Sequence, residues 1–370
     1  MTKQTFFSFF LFLVGITCSA QDFVHPGVLH NRDDMERIYQ SVIDKKEPAY
    51  SSFLLLEEHP CAQADYELKG PFQVISRDGE FRNTKSAMEA DFSAAYLNTL
   101  MWICTRNEAH ARKALDILNT YADTLTKIPE TNDAPLLAGL EGFKIIYSIE
   151  ALKYTYDGAT EEKLSPVSKM LEEIFLPVME NFYARPPYTN GNWGPIVTKA
   201  YMGAAIWFNN REMYNKALDF YLHARDNGTI ANYVDGETGQ IQESGRDQSH
   251  CMLGIGAMAT VCELAHKQGD DLYAALDNRL MKAYEYVAAY NLGHDVPFRQ
   301  WTDITGKYNN WQVISPQARG RYMPVFEIAY NHYVNRQGMQ MPYTKQVLDK
   351  IRPEGYDRDQ PGFGALLFNQ

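Results

Sequence analysis

Several things are missing from this 370-residue chain, and each absence excludes something. Only five cysteines are present, one of them Cys18 in the first twenty residues, and none forms a CxxC pair. The scattered Cys61, Cys104, Cys251 and Cys262 therefore argue against a metal cluster, while one or two disulfides remain compatible with an oxidising compartment. Basic residues do not dominate: Asp and Glu outnumber Lys and Arg, and the formal net charge is -11. That balance speaks against nucleic acid as a partner, although a local basic cleft can still hold a polyanion. After residue 20 no run is long and apolar enough to span a bilayer. Low-complexity tracts, linkers and clean internal repeats are lacking, and strand-like alternation is rare.

The N-terminus is the exception to the missing apolar run. Lys3 precedes FFSFFLFLVGI (residues 6–16), and small residues follow up to Ala20. The pattern reads as a secretory signal cleaved after Ala20, with a lipid-attached Cys18 as the weaker option. A soluble protein that is periplasmic or secreted, comprising residues 21–370, is expected, with no transmembrane segment. Hydrophobic residues make up 45% of the chain, enough to fill a large core.

Helical periodicity is what remains. Asn31 is placed to cap a helix whose Met35, Ile38, Val42 and Ile43 share one face. Further helical runs follow at 88–104, 109–125, 137–156, 162–183, 193–209, 211–225, 247–267, 270–290 and 317–334. Short polar joints such as TRNE and NNRE link them. Helix after helix with short joints predicts an all-α fold, an (α/α) toroid or incomplete barrel of antiparallel hairpins forming one catalytic domain.

Three irregular segments interrupt the helices and hold Trp193, Trp301 and Trp311. They are ARPPYTNGNWG (184–194), the hairpin-like NYVDGETGQIQESG (232–245) and a long stretch at 293–322. Loops on a rigid scaffold commonly carry function, and aromatic rings beside Asn, Arg and His suit a sugar cleft. Glu243, Arg246, Asp247 and His250 crowd the start of one helix. Ser244 with Asp247 can form a capping box, while Glu243 is placed to orient Arg246 or His250. A helix N-terminus also favours an anion. Asn190 and Asn192 offer amide donors. Arg299, Lys307, Arg319 and Arg321 accompany Tyr308 and Tyr322, and cations near a tyrosine favour its ionised form.

These segments carry a resemblance. HPGVLHNRDDMERI, DFSAAYLNTLMWICTRNEAHARKALDILNTYA, NDAPLLAGLEGFKIIYSIEALKY, NGNWG, DGETGQIQESGRDQSH and RYMPVFEIAYNHY together resemble polysaccharide lyases of the alginate-lyase superfamily. The similarity is strongest to family 38, the glucuronan and alginate lyases of Bacteroides type, and covers nearly all of residues 21–370. It implies β-elimination on an acidic polysaccharide, with no cofactor and no catalytic metal. The relatives' Asn-His pair corresponds to Asn190-Gly191-Asn192-Trp193, without the histidine. Asn192 is then the expected carboxylate ligand, and Arg246 and His250 match the later Arg…His element. No tyrosine stands between His250 and Tyr273, so proton transfer is expected from Tyr308, with Tyr322 and Tyr233 as alternatives. Trp193, Arg299, Asn190, Glu243, Arg321 and Tyr322 are the expected substrate-binding set, and Leu68–Lys85, with Arg77, Arg82 and Lys85, a candidate cleft wall. Two other readings stay open. One is a glycoside hydrolase using Glu243, Asp247 or Asp235; the other is a non-catalytic sugar-binding protein.

Overall fold

The computed structural model describes residues 22–369; the expected signal and its cleavage point lie outside them. Within the described residues the fold is helical, and its only β-pairing is two isolated bridges, Val74 with Lys127 and Val234 with Ile241. The helices are α1 (Arg32–Ile43), α2 (Ala49–Glu57), α3 (Lys85–Thr105), α4 (Glu108–Ala122), α5 (Ala134–Thr155), α6 (Glu161–Met170) and α7 (Leu176–Tyr183). They continue with α8 (Trp193–Trp207), α9 (Arg211–His223), α10 (Ile230–Tyr233), α11 (Gln248–Lys267), α12 (Ala275–Asn291), α13 (Phe326–Tyr330), α14 (Pro342–Ile351) and α15 (Gly364–Leu367).

Local sequence sets the helix starts. Asn31 and Asp34 form a reciprocal capping box on α1. Asn107 and Asn210 cap α4 and α9 with their side chains. Between α3 and α4 the chain reverses in two residues, with Arg106 in the left-handed region at φ +57°. So short a joint forces the two helices to run antiparallel.

Burial sorts the helices into two rings. Every residue of α8 is buried, as are nearly all of α3, α5 and α11. These four pack against one another in chain order, α3 on α5, α5 on α8 and α8 on α11. The amphipathic α4, α6 and α9 cover them on the outside. Since an outer helix returns the chain between each inner pair, the inner helices run parallel. Their N-termini therefore gather on one face, and so do the loops that lead into them.

The C-terminal segment closes the ring. α15 packs on α1, α2 and α13, and Arg37 donates to the carbonyls of Leu367 and Asn369 at 2.7 and 2.8 Å. Just before it, residues 356–361 cross the inner helices. The Tyr356 hydroxyl donates to Ser93, Arg358 pairs with Glu89, and Lys199 donates to the Asp359 carbonyl. Gln360 reaches the Leu253 carbonyl of α11 at 3.0 Å.

Some expectations are corrected. No disulfide forms; all four cysteines are free, and three are buried within helices. The run expected at 317–334 is irregular up to Val325, because Arg319 and Tyr322 bond to backbone carbonyls of α12 and its exit instead of starting a helix. The helix expected at 162–183 bends through a π-turn at Leu171–Phe175. Among the described residues no helix is long and apolar enough to cross a membrane.

An ion network at the opposite, C-terminal end of α11 fastens α1 and the segment after α13. Lys267 bridges Asp34 and Glu263 at 2.7 and 3.1 Å, and Arg336 meets both Glu263 oxygens. Burial alone would raise the Glu263 carboxyl, but Lys267 and Arg336 hold it down at about 2. A carboxyl depressed on folding adds stability that is present above its unfolded value of about 4.3 and is lost as pH falls toward the folded one. Glu263→Gln should therefore flatten the loss of stability between about pH 4.5 and pH 2. Denaturant midpoints measured across that window check this; an unchanged slope would contradict it.

Candidate active site

Two loops meet at the N-terminal face, and one buried carboxylate joins them. Glu243 is 0% exposed, in the segment that enters α11. Its oxygens accept from the Asn192 side-chain amide at 2.8 and 2.9 Å, and from the Asn192 backbone N–H at 3.1 Å. The Tyr233 hydroxyl donates at 3.0 Å, and the Arg246 guanidinium at 2.7 Å. A carboxylate can be buried only when so compensated. Here the donors come from three places in the chain: the loop before α8, the end of α10 and the segment after Glu243 itself.

The hairpin that delivers Glu243 is real. Val234 pairs antiparallel with Ile241, and Gly239 turns the chain at φ +79°. A Cβ at Gly239 would come within 2.3 Å of the Lys282 carbonyl, so the turn requires glycine. Asp247, not Ser244, caps α11: it accepts the His250 N–H at 2.8 Å. The Ser244 hydroxyl instead accepts the Ile241 N–H inside the hairpin. Arg246 consequently precedes the helix rather than sharing a helical face with His250. Both still meet Asp247, His250 Nδ1 at 2.6 Å and Arg246 Nε at 3.8 Å. Burial works against the Asp247 charge, yet the His250 hydrogen bonds hold its carboxyl below the usual range. With Nδ1 engaged, Nε2 is the ring nitrogen left for a ligand, and the His250 side chain is 34% exposed.

Tyr308 joins this group from the third loop. Its hydroxyl donates to Asn190 Oδ1 at 2.7 Å, and Arg246 donates to the same oxygen at 3.3 Å. Trp311 covers the Tyr308 ring at 4.5 Å and rests on Gly245, where a Cβ would lie 2.4 Å from it. Burial pushes the Tyr308 hydroxyl above its ordinary value; Arg246 pulls it back, and Glu243 pushes it up again. Two residues that the sequence did not single out hold the loop. Asp303 accepts from the backbone N–H groups of Tyr308 and Thr305 and from the Asn227 amide. Asn227, fully buried, also donates to the Tyr188 carbonyl and accepts from the Ile304 N–H. Their only signal in the sequence is the turn-forming character of DIT and DNG.

Of the expected residues, Tyr308, His250, Arg246, Asn190, Asn192 and Glu243 converge. Asn192 is 1% exposed with its amide on Glu243, whereas the more accessible Asn190 keeps its amide nitrogen free of partners among the described residues. Tyr233 is wholly buried, its hydroxyl raised well above the ordinary value by burial and then by Glu243. Arg299 lies apart, paired with Asp235 and Glu237 at the hairpin turn. The Tyr322 hydroxyl bonds the Asn291 carbonyl, and Arg321 is exposed beside it. Arg319 is likewise engaged elsewhere, and of that basic group only Lys307 approaches the Tyr308 ring. Trp193 is 8% exposed and lines a cavity of about 710 Å³ next to the cluster. Among the described residues no group of three or more His, Cys, Asp or Glu side chains is placed to hold a metal.

A helical toroid presenting a Tyr–Arg–His–Asn constellation at one face belongs to the polysaccharide lyases that act on uronate polymers. The chain is a member of the alginate lyase family, whose model matches residues 41–296. Solved structures repeat the fold. Alginate lyase A1-III, as a histidine-to-alanine variant complexed with tetrasaccharide, aligns over 91% of this chain and 94% of its own. The TM-score is 0.66 and the identity 15%. The same enzyme from Sphingomonas species A1 gives 0.63 at 14% identity, covering 91% and 95% of the two chains. An alginate lyase from Bacteroides ovatus gives 0.56 at 13% identity, covering 88% and 98%. At such identities the likeness establishes the fold alone. No curated protein sequence matches the chain significantly.

Glu243→Ala should cost about 3–5 kcal/mol, because it strands the Arg246 charge and the buried Asn192 amide. Urea unfolding followed by circular dichroism measures it; a loss under about 1 kcal/mol would mean that the carboxylate does not organise the face.

Proposed function

We propose that this protein cleaves β-1,4-linked uronic-acid polymers, glucuronan or mannuronate-rich alginate, by β-elimination. In this reading it is an exported single-domain lyase allied to family 38. The observation that carries it is the Tyr308–Asn190–Arg246 contact beside the His250–Asp247 pair.

The uronate H5 becomes acidic enough to remove only when the negative charge spreading onto its carboxylate is stabilised. Arg246, the Asn190 amide and His250 Nε2 are the donors available for that oxyanion. Asn192 supports them from below through Glu243. Tyr308 then removes H5 and passes the proton to the departing O4. In gluco- and manno-configured uronates H5 and O4 share one face of the ring, so one group can do both. The product gains a 4,5 double bond at its new non-reducing end. For the C5 epimer, whose H5 lies on the other face, His250 held by Asp247 is the base in reach. The carboxylates that a hydrolase would need are all engaged: Glu243 with four donors, Asp247 with His250, and Asp235 with Arg299.

Ultraviolet absorbance of the unsaturated product tests the reaction across a panel of uronic polymers; digestion that shortens chains with no new absorbance would eliminate it. Tyr308→Phe should lower kcat about 100- to 10,000-fold, and His250→Ala should also abolish most turnover. Wild-type-like rates in both would sink the site. Because Tyr308 must be ionised to take a proton, kcat/KM should climb as pH rises. Arg246→Gln, which removes the charge that lowers Tyr308, should displace that limb to higher pH. An alkaline limb that stays in place would take the base role from Tyr308. Asp303→Ala should reduce kcat about a hundredfold through misplacement of Tyr308, with KM and helix content little changed; a kcat near wild type would show that the loop holds without it.

A further inference from the structure

The largest cavity among those found does not contain Tyr308, Arg246 or His250. Its volume of about 710 Å³ lies within the range of roughly 300–1,000 Å³ typical of ligand sites. It opens on the other side of the loop that carries Asn190. Tyr188 and Trp193 line it, and between them in sequence Asn190 faces the Tyr308–Arg246 cluster. One turn of chain thus has one flank in each space.

The opposite wall is the segment before α5, with Lys127, Glu130 and the first residues of that helix, and Asn181 and Arg185 close the cavity from α7 and its exit. Two features of this wall point to an anion. Lys127 and Arg185 are exposed, and among the described residues neither side chain forms an ion pair or hydrogen bond. Most other arginines around the face are committed, Arg246 to Glu243, Arg299 to Asp235 and Arg77 to Glu89. The wall is also built to stay put. Val74 bridges Lys127, and the Asp133 N–H donates to Asp78, so the 68–85 segment buttresses the cavity from behind. On the near side Tyr188 stacks on Phe182 at 4.1 Å and contacts Trp193, giving a fixed aromatic surface.

We propose that this cavity is a second polymer-binding region, which takes uronate residues flanking the bond that is cleaved. Carboxylates meet Lys127 and Arg185, Asn181 holds hydroxyls, and ring faces lie on Trp193 and Tyr188. Glu130 spaces the two cations and disfavours a carboxylate midway between them. The proposal rests on the lyase reading for the direction of the chain, but its binding claim stands separately.

The test compares wild type with Lys127→Ala/Arg185→Ala, neither of which touches the catalytic cluster. Calorimetric titration with saturated uronate hexasaccharides, and with the same oligosaccharides after carboxyl reduction, reads binding; turnover is measured in parallel on long and short substrates. The double variant should bind the charged hexasaccharide roughly tenfold more weakly at low salt, with the difference shrinking as salt rises. KM for long chains should rise by a similar factor at unchanged kcat, and the shortest cleaved oligosaccharide should be unaffected. Equal affinity of both proteins for the charged hexasaccharide overturns the proposal. So does equally tight wild-type binding of the carboxyl-reduced form, which would make the cavity a neutral-sugar site. Uronate binding that depends on the two cations, with no cleavage at all, would instead defeat the lyase reading and leave the cavity assignment standing.

Discussion

A negative charge with no access to water holds the functional face together. Glu243 would be prohibitively costly to bury alone, so the fold must bring Asn192, Tyr233 and Arg246 to it. That requirement fixes the loop before α8 against the hairpin before α11. It also fixes the aim of Arg246, which is left 26% exposed and turned toward Asn190. The exposed chemistry is therefore set by an interaction that no substrate touches. Asp247 does the same job one residue further on, capping α11 with one oxygen and holding His250 with the other.

Topology supplies the rest of the site's electrostatics. Parallel inner helices bring the N-termini of α3, α5, α8 and α11 to one face, each with its positive dipole end outward. A chain of net charge -11 can thereby present a locally favourable surface to a polyanion. The C-terminal segment at 356–361 ties the N-terminal halves of α3, α8 and α11 together through Ser93, Glu89, Lys199 and Leu253. Without such a tie the ring would be an open arc, and the loops above it would have no common floor.

Much of this was legible in the residues. Helical periodicity and asparagine caps located most helices, and the residues at the mouth of α11 marked the site. What escaped was long-range. Asn192 and Asn190 look interchangeable in NGNWG, yet only Asn192 meets Glu243, 51 positions away. Asp303 reads as an ordinary turn residue until Asn227, 76 positions earlier, is found on its carboxylate. Arg299 and Arg321 were drawn in by proximity in sequence to Tyr308, which says nothing about proximity in space. Ser244 fits a capping box by spacing, but the hairpin's own N–H at Ile241 claims its hydroxyl.

The placement of Tyr308 shows why proton transfer can sit on a mobile-looking loop without imprecision. Its backbone is pinned by Asp303, its ring by Trp311, and its hydroxyl by Asn190. Each tether comes from a different element, so no single loop movement releases the side chain. Burial makes the hydroxyl harder to ionise, and Arg246, fixed by Glu243, is the charge that opposes it. The same arginine donates to Asn190 Oδ1, the oxygen that accepts the tyrosine hydroxyl. A uronate carboxylate arriving at Arg246 must therefore compete with Asn190 for its donors. That competition loosens the acceptor of the Tyr308 hydrogen bond at the moment the substrate is seated, which couples carboxylate recognition to release of the residue that moves the proton.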